Sequence, residues 1–585
     1  MTRATSRTVT DPAENGLLRR VLSALLREDA YGLRGTARTE HRPDGDWLRL
    51  RATGETLLLP VGPDGFLCEI QAREPLLETA DGTLVTGLGP VLDRLRGAVP
   101  AEDRPGFDAF TAECREALTA ARLHHRAAPE VLRRLTAAYG PAVTGWRGPR
   151  GALALDTLAA FRDHPVHPTG HARAGLGPRE LLAHAPEFHP SFPLRWIALP
   201  RERVQGDPAA LPHWWPTPAA LGLAGLDTTH LALPVHPLTA AGPLAEALRA
   251  TAPHGDAHPA EKPWLEVIPT LSTRTVAVAD EPGTHLKLPL PTATLGRLNR
   301  RTIKPGTFHD GETGQRLLEE IIAREPRFAG RVLLADERTH LSTGHELLAA
   351  LVRRHPGGLH DAHVVPVAAL LAPAPDGRLV AQALAEHYYG GSLTAFLDAY
   401  LRLLLDWHTT LFGYGIALEA HQQNTAVVLD TAPGGRTRLR LLLKDNDGPR
   451  VHSARLTSRL GGEAAGLLGF TDRRILVAGD GPVADVFATI TLHLCAGALA
   501  FELARLGHGS PDAHLTRLRG HLAEAIDRLP PGPAAALRTR VLDAGRLPVK
   551  AMVTAGTLLT KQRSGATDIN KHYVDGPNYL RAAPR

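Results

Sequence analysis

Residues Ala417 to Asp430 read ALEAHQQNTAVVLD. There the carboxylate of Glu419, the imidazole of His421 and the amides of Gln423 and Asn424 stand beside an apolar run. A surface loop has no need of that mixture, and a core strand cannot bury it unpaired. After Asn424 come the strand-like TAVVLD, the turn APGG and then RTRLRLLLKDNDG. This order predicts a hairpin that returns Asp445 to the neighbourhood of Asn424. An amide and a carboxylate brought together in this way are hard oxygen ligands suited to Mg²⁺. A polar turn beside a core hairpin, with Asp445 capping a bend, accounts for the same residues.

Three further clusters have chemical potential. In PTLSTRTVAV, Ser272, Arg274 and Thr275 share one extended segment. The arginine brings a fixed fork of donors that matches carboxylate or phosphate oxygens. In HLKLPLPTATLGRLNRRTIKPGT, Lys287 lies on an alternating strand opposite Leu286, Leu288 and Leu290. Arg297, Arg300 and Arg301 follow, a cluster fit for a polyanion or for solvent. In HPVHPTGHARAG, His164, His167 and His171 invite a zinc reading. Pro165 and Pro168 force extended geometry on their predecessors and break the helical stacking that such sites use. A Pro-braced loop presenting imidazoles and Arg173 to a phosphate fits better. No GxxxxGK[ST], GxSxG or GxGxxG occurs. The Asn424-hairpin-Asp445 order shares a layout with protein kinases, and nothing more than a layout.

These side chains need elements to hold them. SLTAFLDAYLRLLLDWHTTLFGYG, just before the first motif, has an N-cap at Ser392, an apolar stripe and stops at Gly413 and Gly415, which predicts a helix. Residues 1–150 alternate helical patterns with strands such as WLRLRA and LLLPV. Leu17, Leu18, Val21, Leu22, Leu25 and Leu26 mark one helical face. GWRGPRG (Gly145 to Gly151) reads as a turn-rich break. APAPDG (Ala372 to Gly377), between apolar segments, predicts a hairpin. From Val483 onward the pattern is mostly helical. The fold class expected is α+β, in three units: 1–150, 151–375 and 376–585.

The chain has 585 residues, 43% hydrophobic and 22% charged, with a net charge of +5. Acids balance the bases along most of it, and no basic run is interleaved with aromatics, so nucleic acid is not an expected partner. Cys68, Cys114 and Cys495 stand far apart and make no CxxC pair. Arg19 and Arg20 interrupt any signal-like apolar core, and no uncharged apolar run reaches the ~18–20 residues of a membrane span. A cytoplasmic protein with no membrane partner is expected.

In this order, the motifs resemble the NRPS-independent siderophore synthetases of the aerobactin-synthetase, or IucA/IucC, type. The family pattern is approximately HPxHPxxKxRxG, PxxSxRT, a KL strand leading to an arginine, EAHxQN and RDxxG. Here it reads HPVHPTGHARAG, PTLSTRT, HLKLPLPTATLGRLNRRTIKP, EAHQQN and KDNDG. The motifs run from about residue 160 to 450. Two positions depart: His171 stands for the family lysine, and Lys444 for the family arginine, keeping the charge but losing the fork.

The resemblance implies a hand-like architecture of thumb (1–150), fingers (151–375) and palm (376–585), with ATP between fingers and palm and a palm loosely kinase-like in layout. It implies a cytosolic homodimeric ligase that adenylates a carboxylate of citrate or a citrate derivative, releases pyrophosphate, and joins the acyl group to an amine or hydroxyl. Carried over residue by residue, Ser272, Arg274, Thr275 and Lys287 hold phosphates. His164, His167 and Arg173 cover the nucleotide, and Gln423 contacts it. Glu419, Asn424 and Asp445 place Mg²⁺. His421, Thr294 and Arg301, with Arg300 as second choice, grip the carboxylates. Arg274, Lys287, His421 and Arg301 carry the catalysis. Two other classes compete: a kinase-like phosphotransferase, which would release ADP, and a non-catalytic siderophore or metal-chelate binding protein, which would need no ATP.

Overall fold

Asp11 accepts hydrogen bonds from the backbone N–H groups of Ala13 (3.0 Å) and Glu14 (3.3 Å) and so opens the first helix, Pro12–Arg27. A side-chain cap of this kind satisfies N–H groups that have no partner inside the helix. The six apolar residues of its stripe are all buried. The computed structural model describes residues 11–52, 55–252, 255–446, 448–566 and 568–581. Residues 1–10 and Asp447 of the KDNDG motif lie outside the described residues, as do the side chains of Arg51 and Ala52 in WLRLRA. The helix packs on a six-stranded antiparallel sheet, ordered Arg38–Arg42, Gly45–Ala52, Glu55–Pro63, Leu76–Thr79 and Leu84–Thr86, with Ile70–Ala72 joined to Glu55–Pro63. Leu48, Leu50, Leu57, Leu59 and Val61 close this core together with Phe107, Phe110 and Cys114 of the long helix Arg104–Tyr139.

The second layer is an eight-stranded sheet. Its order is Asp336–Ser342, Ala349–Arg354, Thr284–Lys287, Thr275–Val278, Trp264–Pro269, Phe192–Pro200 and His230–Val235, with His258–Pro259 joined to Phe192–Pro200. Strand periodicity decides what this sheet does. Val276, Leu286 and Val352 pair across neighbouring strands and point into one apolar core. Thr275, Lys287 and Leu351 pair one residue further along, and Arg353 pairs with His285. These residues therefore share the opposite face. That face is also buried, and it looks toward the third layer.

The third layer has a four-stranded sheet, ordered Val332–Leu334, Thr437–Leu443, Thr425–Thr431 and His363–Pro366. The helix Leu393–Gly413 lies in the large core around it, buried along Phe396, Tyr400, Leu404, Trp407 and Leu411. Ser392 Oγ accepts from Ala395 N–H at 3.1 Å, the expected cap. Sheet and helix segments of both kinds are thus mixed through the chain, consistent with an α+β fold.

Four sequence expectations change here. GWRGPRG is only partly a break: Gly148 opens the helix Gly148–Ala160, where Pro149 suits the first turn. APAPDG is a turn, but it is followed by the helix Val380–Tyr389 and not by a strand. Gln382 Oε1 accepts from Leu379 N–H at 2.9 Å and starts that helix. The strands Val332–Leu334 and His363–Pro366 pair with strands from beyond residue 420, so sheet membership crosses the boundary expected near 375. The helical C-terminal part also contains a hairpin, Arg546–Lys550 with Tyr573–Pro577. The helical stretch Asp480–Arg505 is long and apolar enough to cross a membrane, but 89% of its apolar window is buried inside the protein. It serves as a core helix.

Candidate active site

Gly415, at φ +88°, turns the chain out of the helix Leu393–Gly413 into a short strand, Ile416–Ala417, paired to Arg450 and Val451. A tight turn follows. His421 N–H donates to the Glu419 carbonyl, Asn424 N–H to the His421 carbonyl (both 2.9 Å), and Thr425 Oγ1 to the Ala420 carbonyl. The strand Thr425–Thr431 then pairs with Thr437–Leu443, with Thr425 opposite Leu443. Lys444 N–H donates to the Asn424 carbonyl at 2.9 Å. The hairpin therefore does return Asp445 to Asn424, as its length and turn predict.

Two carboxylates on this wall meet two pairs of cations. Asp445 lies 3.2 and 3.3 Å from Lys287 Nζ and 3.5 Å from Arg353. Burial works against its ionisation, yet Lys287, Arg353 and Arg274 hold its carboxyl well below the usual range. Glu419 is gripped by Lys550 at 3.0 Å and Lys571 at 3.1 Å. Burial opposes its ionisation too, and the two ammonium groups overcome it, bringing the carboxyl down to about 2. Glu419, expected to bind Mg²⁺, has both oxygens on these ammonium groups, so a cation there would have to displace them. His421 Nδ1 accepts from Gln423 N–H at 3.3 Å, and its Nε2 lies 3.4 Å from the Asn424 amide nitrogen. Burial pushes the His421 imidazole down to about 4, with Glu419 opposing, so it is neutral near pH 7.

The facing wall comes from the eight-stranded sheet. Ser272, Thr273 and Arg274 form the turn between its strands Trp264–Pro269 and Thr275–Val278. Thr273 adopts φ +48°, costly for a β-branched residue. Arg173 stabilises it, donating from Nε to Thr273 Oγ1 at 3.0 Å while Nη2 reaches both oxygens of Glu187 at 2.8 and 3.0 Å. Arg274 donates to the Thr302 carbonyl at 2.9 Å. Next to it, the segment 293–301 closes on itself: Asn299 Nδ2 donates to the Thr294 carbonyl, and Arg301 Nε to Thr294 Oγ1. Gly296 is required there, because a Cβ would sit 2.8 Å from the backbone of Gly556.

The three arginines separate clearly. Arg301 lines the cavity between the walls, and burial, aided by Arg274, pulls its pKa below the usual arginine value. The Arg300 side chain is 61% exposed and paired to Glu346 at 2.7 Å, although it also borders the cavity. Arg297 is paired to Glu116 at 3.0 Å.

One cavity of about 1570 Å³ joins these groups. His164, Arg173, Ser272, Arg274, Lys287, Thr294, Arg300, Arg301, Glu419, His421, Gln423, Asn424 and Asp445 all line it. Two expected residues do not. Thr275 is 1% exposed on its strand, bonded through its hydroxyl to Ser272. His167 is equally buried, with Nδ1 accepting from Thr169 N–H. Both support the wall from behind. His164 does face the cavity; its Nδ1 accepts from Val166 and His167 N–H groups, so in the neutral ring Nε2 carries the proton. Lys444 is buried 4.0 Å from Asp156, away from the cavity. The sequence reading missed Lys550, Lys571, Arg353, Arg450 and Arg474, of which all but Arg353 line the cavity. Each sits in an ordinary strand or loop pattern with no local signal.

Residues 152–372 match the model of the IucA / IucC family, and residues 394–565 match that of a "Ferric iron reductase FhuF-like transporter". Staphyloferrin A synthase of Staphylococcus aureus is 26% identical over 318 residues, 51% of this chain and 53% of that protein. The chain spans about half the length of the curated relatives of this kind. Among solved structures, the petrobactin biosynthesis protein AsbB from Bacillus anthracis str. Sterne aligns with a TM-score of 0.71 at 16% identity, covering 96% of this chain and 95% of its own. ATP-bound aerobactin synthetase IucA from a hypervirulent pathotype of Klebsiella pneumoniae aligns at 0.69 and 18%, covering 97% and 99%. These two likenesses establish a shared fold. In the segment matched by the second family model, Cys495 is the only cysteine and is buried.

Proposed function

We propose that this chain is an ATP-dependent synthetase of siderophore biosynthesis that adenylates a carboxylate of citrate, or of a citrate derivative, and condenses it with an amine or hydroxyl of a second substrate. The observation that carries this reading is the pair of opposed walls in one cavity. Ser272, Arg274, Lys287 and Arg301 supply donors and positive charge, and Asn424 and Asp445 supply oxygen ligands across from them. The cavity exceeds the usual ~300–1,000 Å³ of a single small-molecule site, in keeping with a nucleotide and an acid side by side. The match of residues 152–372 to the IucA / IucC family supports the reading, and so does the ATP-bound state of the IucA neighbour.

In the first step a carboxylate oxygen attacks the α-phosphorus and pyrophosphate leaves. Two anions must approach, so catalysis is largely positioning and neutralisation of charge. Lys287 faces the cavity at 3.2 and 3.3 Å from the Asp445 oxygens, placed to meet a phosphate oxygen there, while Arg274 is aimed by its bond to Thr302. Asp445 and the Asn424 amide fit a Mg²⁺ ion by donor type; the ion supplies further positive charge for the triphosphate. Arg301 and neutral His421, with Thr294, hold the acid's other carboxylates and thereby choose which one reacts. In the second step the amine or hydroxyl attacks the acyl carbon and AMP leaves. A cytosolic setting and a homodimer belong to the same proposal.

The test is product analysis with ATP, Mg²⁺, citrate and an amine. The proposal expects AMP and pyrophosphate. ADP and phosphate would contradict it and favour the phosphotransferase suggested by the kinase-like layout. Tight citrate-chelate binding with no ATP turnover would favour a binding protein.

A further inference from the structure

At the border of the same cavity, which His171 and Glu187 help to line, lies a cluster that the proposed reaction does not use. His124 comes from the helix Arg104–Tyr139, His171 from the loop after the helix Gly148–Ala160, and Glu187 from the short turn Pro186–Phe188. One donor atom from each lies within 4.8 Å of the others. His124 Nε2 is 3.7 Å from Glu187 Oε1, and the two imidazole rings meet edge to face at 4.7 Å.

Three details point to a ligand. The His124 side chain is 6% exposed, and neither ring nitrogen has a hydrogen-bond partner among the described residues. A neutral imidazole has a donor and an acceptor, and leaving both unpaired in the interior is unfavourable. His171 Nε2 donates to the carbonyls of Ala160 and Arg162, both at 3.1 Å, which leaves Nδ1 as a lone pair. Metal-bound histidines are held in this way, with the second ring N–H fixed on a carbonyl. Phe161 and Phe188 pack against the His124 ring at 6.0 and 5.6 Å and screen it from water.

We propose that His124, His171 and Glu187 form a site for a divalent first-row transition metal, best matched by Zn²⁺. Two imidazoles and a carboxylate make a common zinc donor set, leaving a fourth position for water or for Asp163, whose Oδ1 is 3.5 Å from His171 Nδ1. Arg173 reaches both Glu187 oxygens, but a carboxylate has about four lone-pair sites, so room remains on the His124 side. The metal would pin the long N-terminal helix to the loop that carries Arg173, and so to the strained Thr273 turn. Position 171 decides the matter. The lysine of the family pattern would put an ammonium group into this cluster, where histidine puts a lone pair.

This inference stands independently of the proposed reaction. The test strips the full chain with a chelator and titrates it with Zn²⁺ in buffer containing Mg²⁺, reading bound metal by elemental analysis after dialysis. Co²⁺ serves as the spectroscopic probe. The expected result is one tightly held Zn²⁺ per chain and a visible Co²⁺ ligand-field band. His124→Ala and His171→Lys, each checked for native circular dichroism, should weaken that site by at least about 100-fold. The difference between wild type and variants removes adventitious binding by the other histidines. Absence of stoichiometric Zn²⁺ in the wild type, or unchanged binding in folded His171→Lys, would overturn the proposal and leave a buried water as the occupant.

Discussion

Asp445 and Glu419 stand on one wall of one cavity, each buried and each facing two cations, yet they are built for different tasks. The partners of Asp445, Lys287 and Arg353, come from the opposite sheet, and their contacts are long, 3.2 to 3.5 Å. Arg353 also has a closer partner in Glu337 at 2.6 Å. Asp445 can give up Lys287 without stranding every charge. The partners of Glu419, Lys550 and Lys571, come from the C-terminal segment, with closest contacts of 3.0 and 3.1 Å, and Lys571 also reaches Asp568 at 3.5 Å. The first arrangement joins the two sheets across the cavity, and the second clamps the C-terminal segment onto the hairpin wall. The lesson is that what a buried carboxylate holds together follows from where its cations come from.

This contrast can be broken experimentally. The largest effect should come from Asp445→Asn, a near-isosteric change. Adenylation should fall by about 10²–10³-fold, the range seen when one preorganised electrostatic group is lost, and urea unfolding should also show a loss, because the buried Lys287 loses a carboxylate partner. Pyrophosphate exchange measures the first quantity; a rate within threefold of wild type would remove Asp445 from the reacting centre. Arg301→Ala should also lose adenylation, by about 10²-fold on the same scale. Glu419→Gln should lose stability while its folded fraction keeps pyrophosphate exchange. It leaves Lys550 without its carboxylate and Lys571 with only Asp568 at 3.5 Å, and urea unfolding should show a loss of roughly 3–5 kcal/mol.

The acid limb of stability sharpens the same point. The Glu419 carboxyl is lowered to about 2 in the folded chain, so below the ordinary value the unfolded chain binds its proton more readily. Its contribution is present above pH ~4.5 and is lost as pH falls toward 2. Glu419→Gln should flatten the stability curve in that window. His421 is lowered to about 4 by burial. Here too the unfolded state takes up the proton first, so stability should already fall between pH ~6.5 and 4. The same holds for the buried His236, His355 and His408, each lowered to about 3. Denaturant midpoints across pH 3 to 7 check both windows on the ordinary titration scale. The smallest effect belongs to Arg300→Ala. An exposed pair such as Arg300–Glu346 is worth about 0–1 kcal/mol, and adenylation should stay within about threefold.

The sequence made the local parts of this site readable. A capped apolar stripe announced the helix Leu393–Gly413, and two strands around APGG announced that Asn424 and Asp445 would meet. Alternation along HLKLPL placed Lys287 opposite the leucines. What it could not show were partners brought together only by folding. Lys550 and Lys571 lie more than a hundred residues from Glu419, so nothing local marks Glu419 as a clamp. Thr275 and His167 share motifs with cavity residues but fall on the wrong side of a strand or loop, a difference set by register and burial. Residues 363–366 join a late sheet because strand pairing ignores sequence boundaries.

The most direct test is isotope exchange between pyrophosphate and ATP with Mg²⁺ and citrate, with no amine present. Adenylation by this cavity predicts citrate-dependent exchange in the wild type, nearly absent in Asp445→Asn and retained by whatever fraction of Glu419→Gln remains folded. Nucleotide binding without exchange, for citrate and for citrate monoamides alike, would contradict it.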